Sequence, residues 1–428
     1  MQILFATPGF PPFNGGGERY ARSLAQALVA QEHAVTVVTS QAVEEAQFWE
    51  GTGGEAGISR EENGPLTVIR CPIAPFPGGR PGLLAWRKAM VLYAALPGAQ
   101  ARILRHMARR VPPLQHVDTA LAHLSPLPDV VNGFNLSWEH AMVAAWRFAR
   151  QNGISYVATP FAHFGESGRA RVARNATMSH QRQLLQDAEA VLTLTPMENK
   201  GLHRWRIHPR RAVVIGGGVD EPPRVDDAPG VLHRHELQKP FVLFLGRVNY
   251  DKGAVHAAAA VTRLRLESAH QTLTLALAGH VMPEFKEYMA QLPPQAQEGL
   301  RLLGVVDENA KHALLQEASM LLLPSRADSL GIVLLEAWQH STPVVGARAG
   351  GIPGVIDDEE NGLLVPFGDE EALAAAVRRL LEDEPLRRRL GRCGQRKVRQ
   401  SYTWEQVAGR ALSAYRRAIS DIAHQKGS

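Results

Sequence analysis

Asp328 and Glu336 have seven residues between them, in the stretch L-L-L-P-S-R-A-D-S-L-G-I-V-L-L-E-A-W-Q-H-S-T-P-V-V-G-A-R-A-G-G-I-P-G from Leu321 to Gly354. A carboxylate such as Glu336, early in a helix, can accept two hydrogen bonds from a diol, for example the 2′ and 3′ hydroxyls of a ribose. Asp328, on the loop before that helix, can reach a second polyol. Earlier in the chain Arg247 and Lys252 stand five apart in G-R-V-N-Y-D-K-G. Two cations beside a helix N-terminus make a receptor for a diphosphate. Near the start, Gly15, Gly16 and Gly17 precede Glu18. Glycines there let the backbone approach a ligand closely and present amides at a helix start. His163 lies in P-F-A-H-F-G-E-S-G.

The elements that must position these groups follow from apolar runs and breakers. Leu321 to Leu323 reads as a buried strand ended by Pro324 and Ser325. Ser329 is read as the cap of a helix starting near Gly331, with Ile332, Leu335, Glu336 and Gln339 at helical spacing and Pro343 closing it. Phe241 to Leu245 is a strongly apolar strand, and a helix starts near Gly253. Leu273 to Ala278 is a strand followed by Gly279, read as allowing close backbone approach to a nucleotide. In the first half, Ile3 to Ala6, Val35 to Thr39, Leu66 to Cys71 and Ile154 to Thr159 read as strands, and Glu18 to Ala30 as a helix. The loop of Asp328, the Arg247–Lys252 segment and His163 thus fall past strand ends, the edge where open α/β sheets bind ligands. The loop from Thr7 to Gly17 is not the G-x-G-x-x-G dinucleotide fingerprint, and neither half carries one. That argues against a dinucleotide oxidoreductase.

With 428 residues the chain is too long for one ordinary core. We expect two domains, 1–218 joined by a final helix from 403–428, and 219–402, with the Pro- and charge-rich segment Glu221 to Pro240 as the linker. Gln41 to Gly64 reads as a polar excursion. Trp86 to Arg110 reads as a helix broken at Pro97-Gly98, carrying aromatic and apolar residues among many arginines. Such a mixture can lie on an anionic bilayer. An ordinary surface helix whose Arg stems cover its flank is the favoured reading of the two. The net charge of +5 fits phosphorylated ligands and does not single out nucleic acid. Two distant cysteines, Cys71 and Cys393, imply neither a disulfide framework nor a metal cluster. The N-terminus lacks a basic region with a long apolar core, and no apolar run is long enough to span a bilayer. The expectation is a cytoplasmic protein, with the inner face of the membrane as a further place.

The acid stretch with its S-L-G, L-L-E-A, P-V-V and A-G-G elements, the Gly-Arg and Lys-Gly pair, and Gly15-Gly16-Gly17-Glu18 together resemble the retaining nucleotide-sugar glycosyltransferases of the family 4 type. His163 after its strand, Gly216-Gly217-Gly218-Val219-Asp220 and Ser401-Tyr402-Thr403-Trp404 extend the resemblance over nearly the whole chain. It is strongest from Phe241 to Gly368. It implies an α/β fold of the GT-B type: two Rossmann-like β/α/β domains facing a central cleft, with a C-terminal helix crossing back to the first. The N-terminal domain would bind the acceptor and the second the nucleotide sugar. It implies transfer of a hexose or related sugar from a nucleoside-diphosphate-sugar to a sugar, glycan, small-molecule or lipid-linked acceptor, with retention of configuration and a place in cell-surface polysaccharide synthesis. By this resemblance His163, Arg247, Lys252, Asp328 and Glu336 act at the reacting centre. Gly15, Gly16, Arg247, Lys252, Gly279, Asp328, Ser329, Leu330, Gly331 and Glu336 hold the donor. Fixed cations and helix amides would then stabilise the leaving diphosphate. No Asp-x-Asp motif stands where a metal would be expected, so neither a metal nor an obligatory cofactor is implied. Peripheral membrane contact is a further partner interaction to test, and no nucleic acid is expected.

Three positions depart from the family pattern. The first acid is Asp328 where Glu is usual, Gly216 or Gly217 replaces an Asn, and Gly354 replaces a Glu after Pro353. Two other readings share the architecture. A nucleotide-sugar 2-epimerase would need further acid–base residues beyond His163. A non-catalytic nucleotide-sugar-binding homologue would be compatible with Asp328 and Gly354.

Overall fold

The computed structural model describes residues 1–13, 15–53, 57–98, 100–162, 175–326 and 328–427. It divides into two compact units, Met1–Gly218 with Trp404–Ser428, and Val219–Thr403. In the first unit, strands β1 (Gln2–Ala6), β2 (Ala34–Ser40), β3 (Ser59–Asn63), β4 (Leu66–Cys71), β5 (Val130–Phe134), β6 (Ser155–Thr159), β7 (Ala190–Thr193) and β8 (Ala212–Val214) form one sheet. Their order is β3-β4-β2-β1-β5-β6-β7-β8, parallel except for β3. The sheet is buried on both faces, so its strands read as apolar runs rather than as alternation. Leu4 and Ala6 pack into one core, and Ile3 and Phe5 into the core on the other face.

That second face is closed by the final helix, Trp404–Gly427. Val407, Ala411, Tyr415 and Ala418 pack into it at helical spacing. The helix is also tied by polar bonds. Asn132 Nδ2 donates to the Tyr415 hydroxyl at 2.7 Å, and Ser155 Oγ to the Ala418 carbonyl at 3.0 Å. The chain leaves and re-enters at one point, where the Val219 amide donates to the Tyr402 carbonyl at 2.9 Å.

In the second unit, β9 (Phe241–Leu245), β10 (Thr274–Ala278), β11 (Leu300–Gly304), β12 (Met320–Leu323), β13 (Val344–Ala347) and β14 (Leu363–Val365) form a parallel sheet in the order β11-β10-β9-β12-β13-β14. Phe241, Leu243 and Leu245 face one core while Val242 and Phe244 face the other. The strand order reverses between β9 and β12. That switch point is where a doubly wound sheet opens a crevice at its carboxyl edge.

Three segments differ from the sequence reading. The excursion Gln41 to Gly64 contains the short helix Gln47–Glu50 and the strand β3, which pairs antiparallel with β4. β3 reads S-R-E-E-N and lies at the sheet edge, where charge is tolerated and no apolar run marks it. The helix expected from Trp86 to Arg110 is interrupted around Pro97-Gly98 as read, giving Gly79–Ala94 and Ala101–Ala108, but the first of the two starts well before Trp86. The expected linker holds a helix, Ala228–Arg234, capped by the Asp227 side chain on the Gly230 amide. Pro229 sits in its first turn, where a missing N–H costs nothing.

Candidate functional site

In the second unit four predicted residues collect at the carboxyl edge of the sheet. Arg247 follows β9, Lys252 ends the same loop, Asp328 follows β12, and Glu336 lies on the helix Ile332–Gln339. The loops of β9 and β12 are bonded to each other. The Arg326 amide donates to the Asp251 carbonyl at 3.1 Å, and Ser325 Oγ to the same oxygen at 3.3 Å. The Arg326 guanidinium pairs with the Asp251 carboxylate and lies over the Tyr250 ring, 5.1 Å from its centroid.

Lys252 Nζ donates to Asp328 Oδ1 at 2.5 Å. The other oxygen, Oδ2, is buried and has no hydrogen-bond partner among the described residues. A buried carboxylate oxygen retains its full need for a donor. Arg247 is exposed and has no ion-pair partner among the described residues. One cation of the predicted diphosphate receptor is thus engaged and the other open.

Glu336 is held by a residue the sequence reading did not single out. Lys311, on the helix Glu308–Glu317, donates to Glu336 Oε1 at 2.8 Å and pairs with Glu308 at 2.6 Å. Burial alone would lower the Lys311 pKa, but the two carboxylates outweigh it and hold the ammonium above its ordinary value. Nothing in the spacing of Lys311 and Glu336, 25 residues apart, signals this pair.

Ser329 is not the helix cap. The residue preceding the first turn is Gly331, with φ 69°, and no side chain among the described residues caps the helix. The chain enters through this left-handed glycine, which leaves Ser329 two residues upstream of the capping position. Leu330 is buried in the core beneath the loop. Gly279, at φ 137°, has a requirement of its own. A Cβ there would collide with the Gly246 carbonyl oxygen, so the two strand ends pack too closely for any side chain. The Gly351 amide donates to the Asp328 carbonyl at 2.7 Å, tying the loop after β13 to the acid loop.

In the first unit the carboxyl edge carries a separate group. Gly15 is the N-cap of the helix Gly16–Ala30. The buried Glu18 folds its carboxylate back toward Gly15. Burial raises its pKa, opposed in part by a hydrogen bond from its own backbone amide. His163 lies outside the described residues. The chain entering its loop is anchored by Glu198, whose Oε1 accepts the Ala162 amide at 3.1 Å and whose Oε2 accepts the Leu194 amide at 2.8 Å. Burial pushes the Glu198 carboxyl up to about 7, against those two hydrogen bonds. Thr195 caps the helix Pro196–Arg204 on the Glu198 amide, so T-P-M-E was a legible capping signature. After β5, Glu139 is fully buried and accepts from Arg87 Nη1 at 2.6 Å, Gln181 Nε2 at 2.5 Å and His180 Nε2 at 2.9 Å. Burial would raise its pKa, but Arg87 and His180 prevail and hold it below the usual carboxylate range.

Comparison with known proteins gives matches in both halves of the chain. Residues 232–397 match the family described as glycosyl transferases group 1, and residues 15–218 match the glycosyl transferase 4-like domain. The chain is 26% identical over 426 residues to a glycogen synthase of Mycobacterium tuberculosis, covering 97% of this chain and 94% of that one. It is 30% identical over 255 residues to an alpha-maltose-1-phosphate synthase of Mycolicibacterium smegmatis, covering 55% and 65%. Among solved structures, sucrose-phosphate synthase of Thermosynechococcus elongatus superposes with a TM-score of 0.74 at 21% identity, covering 98% and 99%. Anabaena HepE in complex with UDP-glucose gives 0.65 at 17%, covering 97% and 100%. By the two matched regions and the shared fold, the chain belongs to the family 4 type glycosyltransferases with the GT-B fold, and its activity is glycosyl transfer.

Proposed function

We propose that the protein transfers a sugar from a nucleoside-diphosphate-sugar to an acceptor with retention of anomeric configuration and without an obligatory metal. The observation that carries this reading is the grouping of Arg247, Lys252, Asp328 and Glu336 at the switch point of the second sheet. Arg247 and Lys252 receive the donor's diphosphate. The uncapped N-terminus of Ile332–Gln339 adds amides that favour the same charge. Glu336, steadied by Lys311, accepts the ribose hydroxyls. Asp328 offers Oδ2 to a hydroxyl of the donor sugar.

Breaking the bond between the anomeric carbon and the diphosphate oxygen leaves negative charge on the departing group. Fixed cations aimed at that charge lower the barrier more than they favour the ground state. Lys252 divides its hydrogen bonds between Asp328 and the phosphate, and Arg247 turns toward the phosphate without breaking a pair. The acceptor is expected on the first unit, near the edge that carries Gly15.

Calorimetry with uridine, guanosine and adenosine diphosphates, followed by NMR of the product anomer, tests this. The uridine nucleotide is the first probe, because HepE of Anabaena holds UDP-glucose. Binding of none of the three, or binding unchanged in Arg247→Ala, removes the donor assignment. A product of inverted configuration removes retention.

A further inference from the structure

The 63–117 stretch contains eight lysines and arginines and no carboxylate. Within it lie the two helices Gly79–Ala94 and Ala101–Ala108, which touch through the Trp86 indole, donating to the Met107 carbonyl at 3.2 Å. The inner face of the first helix is a normal core stripe, with Leu83 and Met90 buried. Its outer face is not polar. Leu84, Lys88 and Leu92 follow one another at four-residue steps, which places them on one ridge. Leu84 is 60% exposed and Leu92 63%. Leu96, in the turn after the helix, and Ile103 on the second helix are also more than half exposed. Four of the twelve exposed large apolar residues of the described chain therefore fall within twenty residues. Lys88 and Arg102 are exposed and have no carboxylate partner among the described residues.

We propose that this surface docks on an anionic lipid bilayer. Exposed leucines at one level, interrupted by a lysine and bordered by arginines, suit the boundary between headgroups and acyl chains. A soluble acidic partner would use the cations but leave the leucine ridge without a function. No helix among the described residues is long and apolar enough to cross a membrane, so the contact is peripheral. The docked helix also has a link inward, because Arg87 on its flank pairs with Glu139 just beyond the end of β5. Docking would bring that edge close to the lipid, and a lipid-borne acceptor follows if the transferase reading given above holds.

The test is co-sedimentation of the full chain with mixed phosphatidylglycerol–phosphatidylcholine vesicles, and with phosphatidylcholine alone, at low and high salt. The wild type is expected to pellet with the anionic vesicles only, and to be released by salt. The triple variant Leu84→Ser, Lys88→Glu, Leu92→Ser alters exposed positions only, and its melting temperature reports that it folds. Its partition onto anionic vesicles should fall by roughly tenfold or more, from the charge reversal and the lost apolar contacts together. Its nucleotide affinity should be unchanged, so loss of docking is separated from loss of the donor site. A wild type that ignores anionic vesicles, that binds neutral ones equally, or whose triple variant still pellets would overturn the proposal.

Discussion

Lys252 and Asp328, 76 residues apart, meet in an ion pair that leaves one carboxylate oxygen buried and without a partner among the described residues. By the proposed function the lysine is expected to serve two anions when a diphosphate arrives. Asp328→Asn should release Lys252 from its fixed position while keeping the shape of the loop. Lys252→Ala should lower the transfer rate by about a hundredfold, the usual loss when one electrostatic stabiliser of a leaving group is removed. Steady-state kinetics on the two single variants and the double variant measure the coupling. Additive losses would mean that the pair does not act as a unit.

Glu336 and Lys311 should behave as partners in nucleotide binding. Glu336→Ala is expected to weaken binding of the nucleoside diphosphate by about tenfold, from lost hydrogen bonds to the ribose. Lys311→Met removes the group that orients Glu336 and should produce a smaller loss of the same kind. Calorimetry reads both. The corresponding 2′-deoxynucleotide distinguishes a ribose contact from general disruption, because Glu336→Ala should affect it less.

Glu198 makes stability depend on pH in an unusual direction for a carboxylate. Its native pKa of about 7 lies above the ordinary value of 4.5, so the native state binds this proton more tightly than the unfolded chain does. The resulting contribution is fully present below pH 4.5 and is lost as pH rises through 7. Glu198→Gln, neutral throughout, should lose one backbone contact at every pH. Relative to the wild type it should nevertheless gain on the order of 3 kcal/mol between acid and mildly alkaline pH. Denaturant titrations across that range check the slope. A gap that does not change with pH would place the ionisation elsewhere.

Arg87→Leu should be among the most damaging changes in the first unit that leave the donor residues untouched. Glu139 is fully buried, and losing the guanidinium strands a charge that, among the described residues, His180 and Gln181 alone still address. Breaking a buried pair in this way costs about 3 kcal/mol or more. A clear fall in melting temperature should follow, and the double variant Arg87→Leu, Glu139→Gln should recover part of it.

Much of this was legible because parallel strands covered on both faces are written as short apolar runs, and the ligand edge is whatever follows them. Gly279 and Arg247 come within two residues of such runs and Asp328 five residues after one, Lys252 stands just before the next helix start, and Glu336 lies one turn inside the helix that follows Asp328. Strand β3 was missed because an edge strand needs no apolar run, and the helix Ala228–Arg234 because prolines disguise a helix start. Lys311, Glu139 and Arg87 were not legible at all. Their roles exist only through packing between elements distant in sequence, and no local spacing encodes that. Glu198 was intermediate, since its capping signature was present but its hold on Ala162 was not. The comparisons bear out the family and the fold class, and they leave the individual site residues to experiment.

The return of the last helix to the first sheet has a consequence during synthesis. Val219–Thr403 is continuous and lies inside Met1–Gly218 with Trp404–Ser428. When a ribosome has made residue 403, the inserted half has every residue it needs, whereas the half begun first still lacks Tyr415 and the apolar face around it. The N-terminal portion must wait, with one side of its sheet uncovered, for the final turns of the chain. In this polypeptide the order of completion runs opposite to the order of translation.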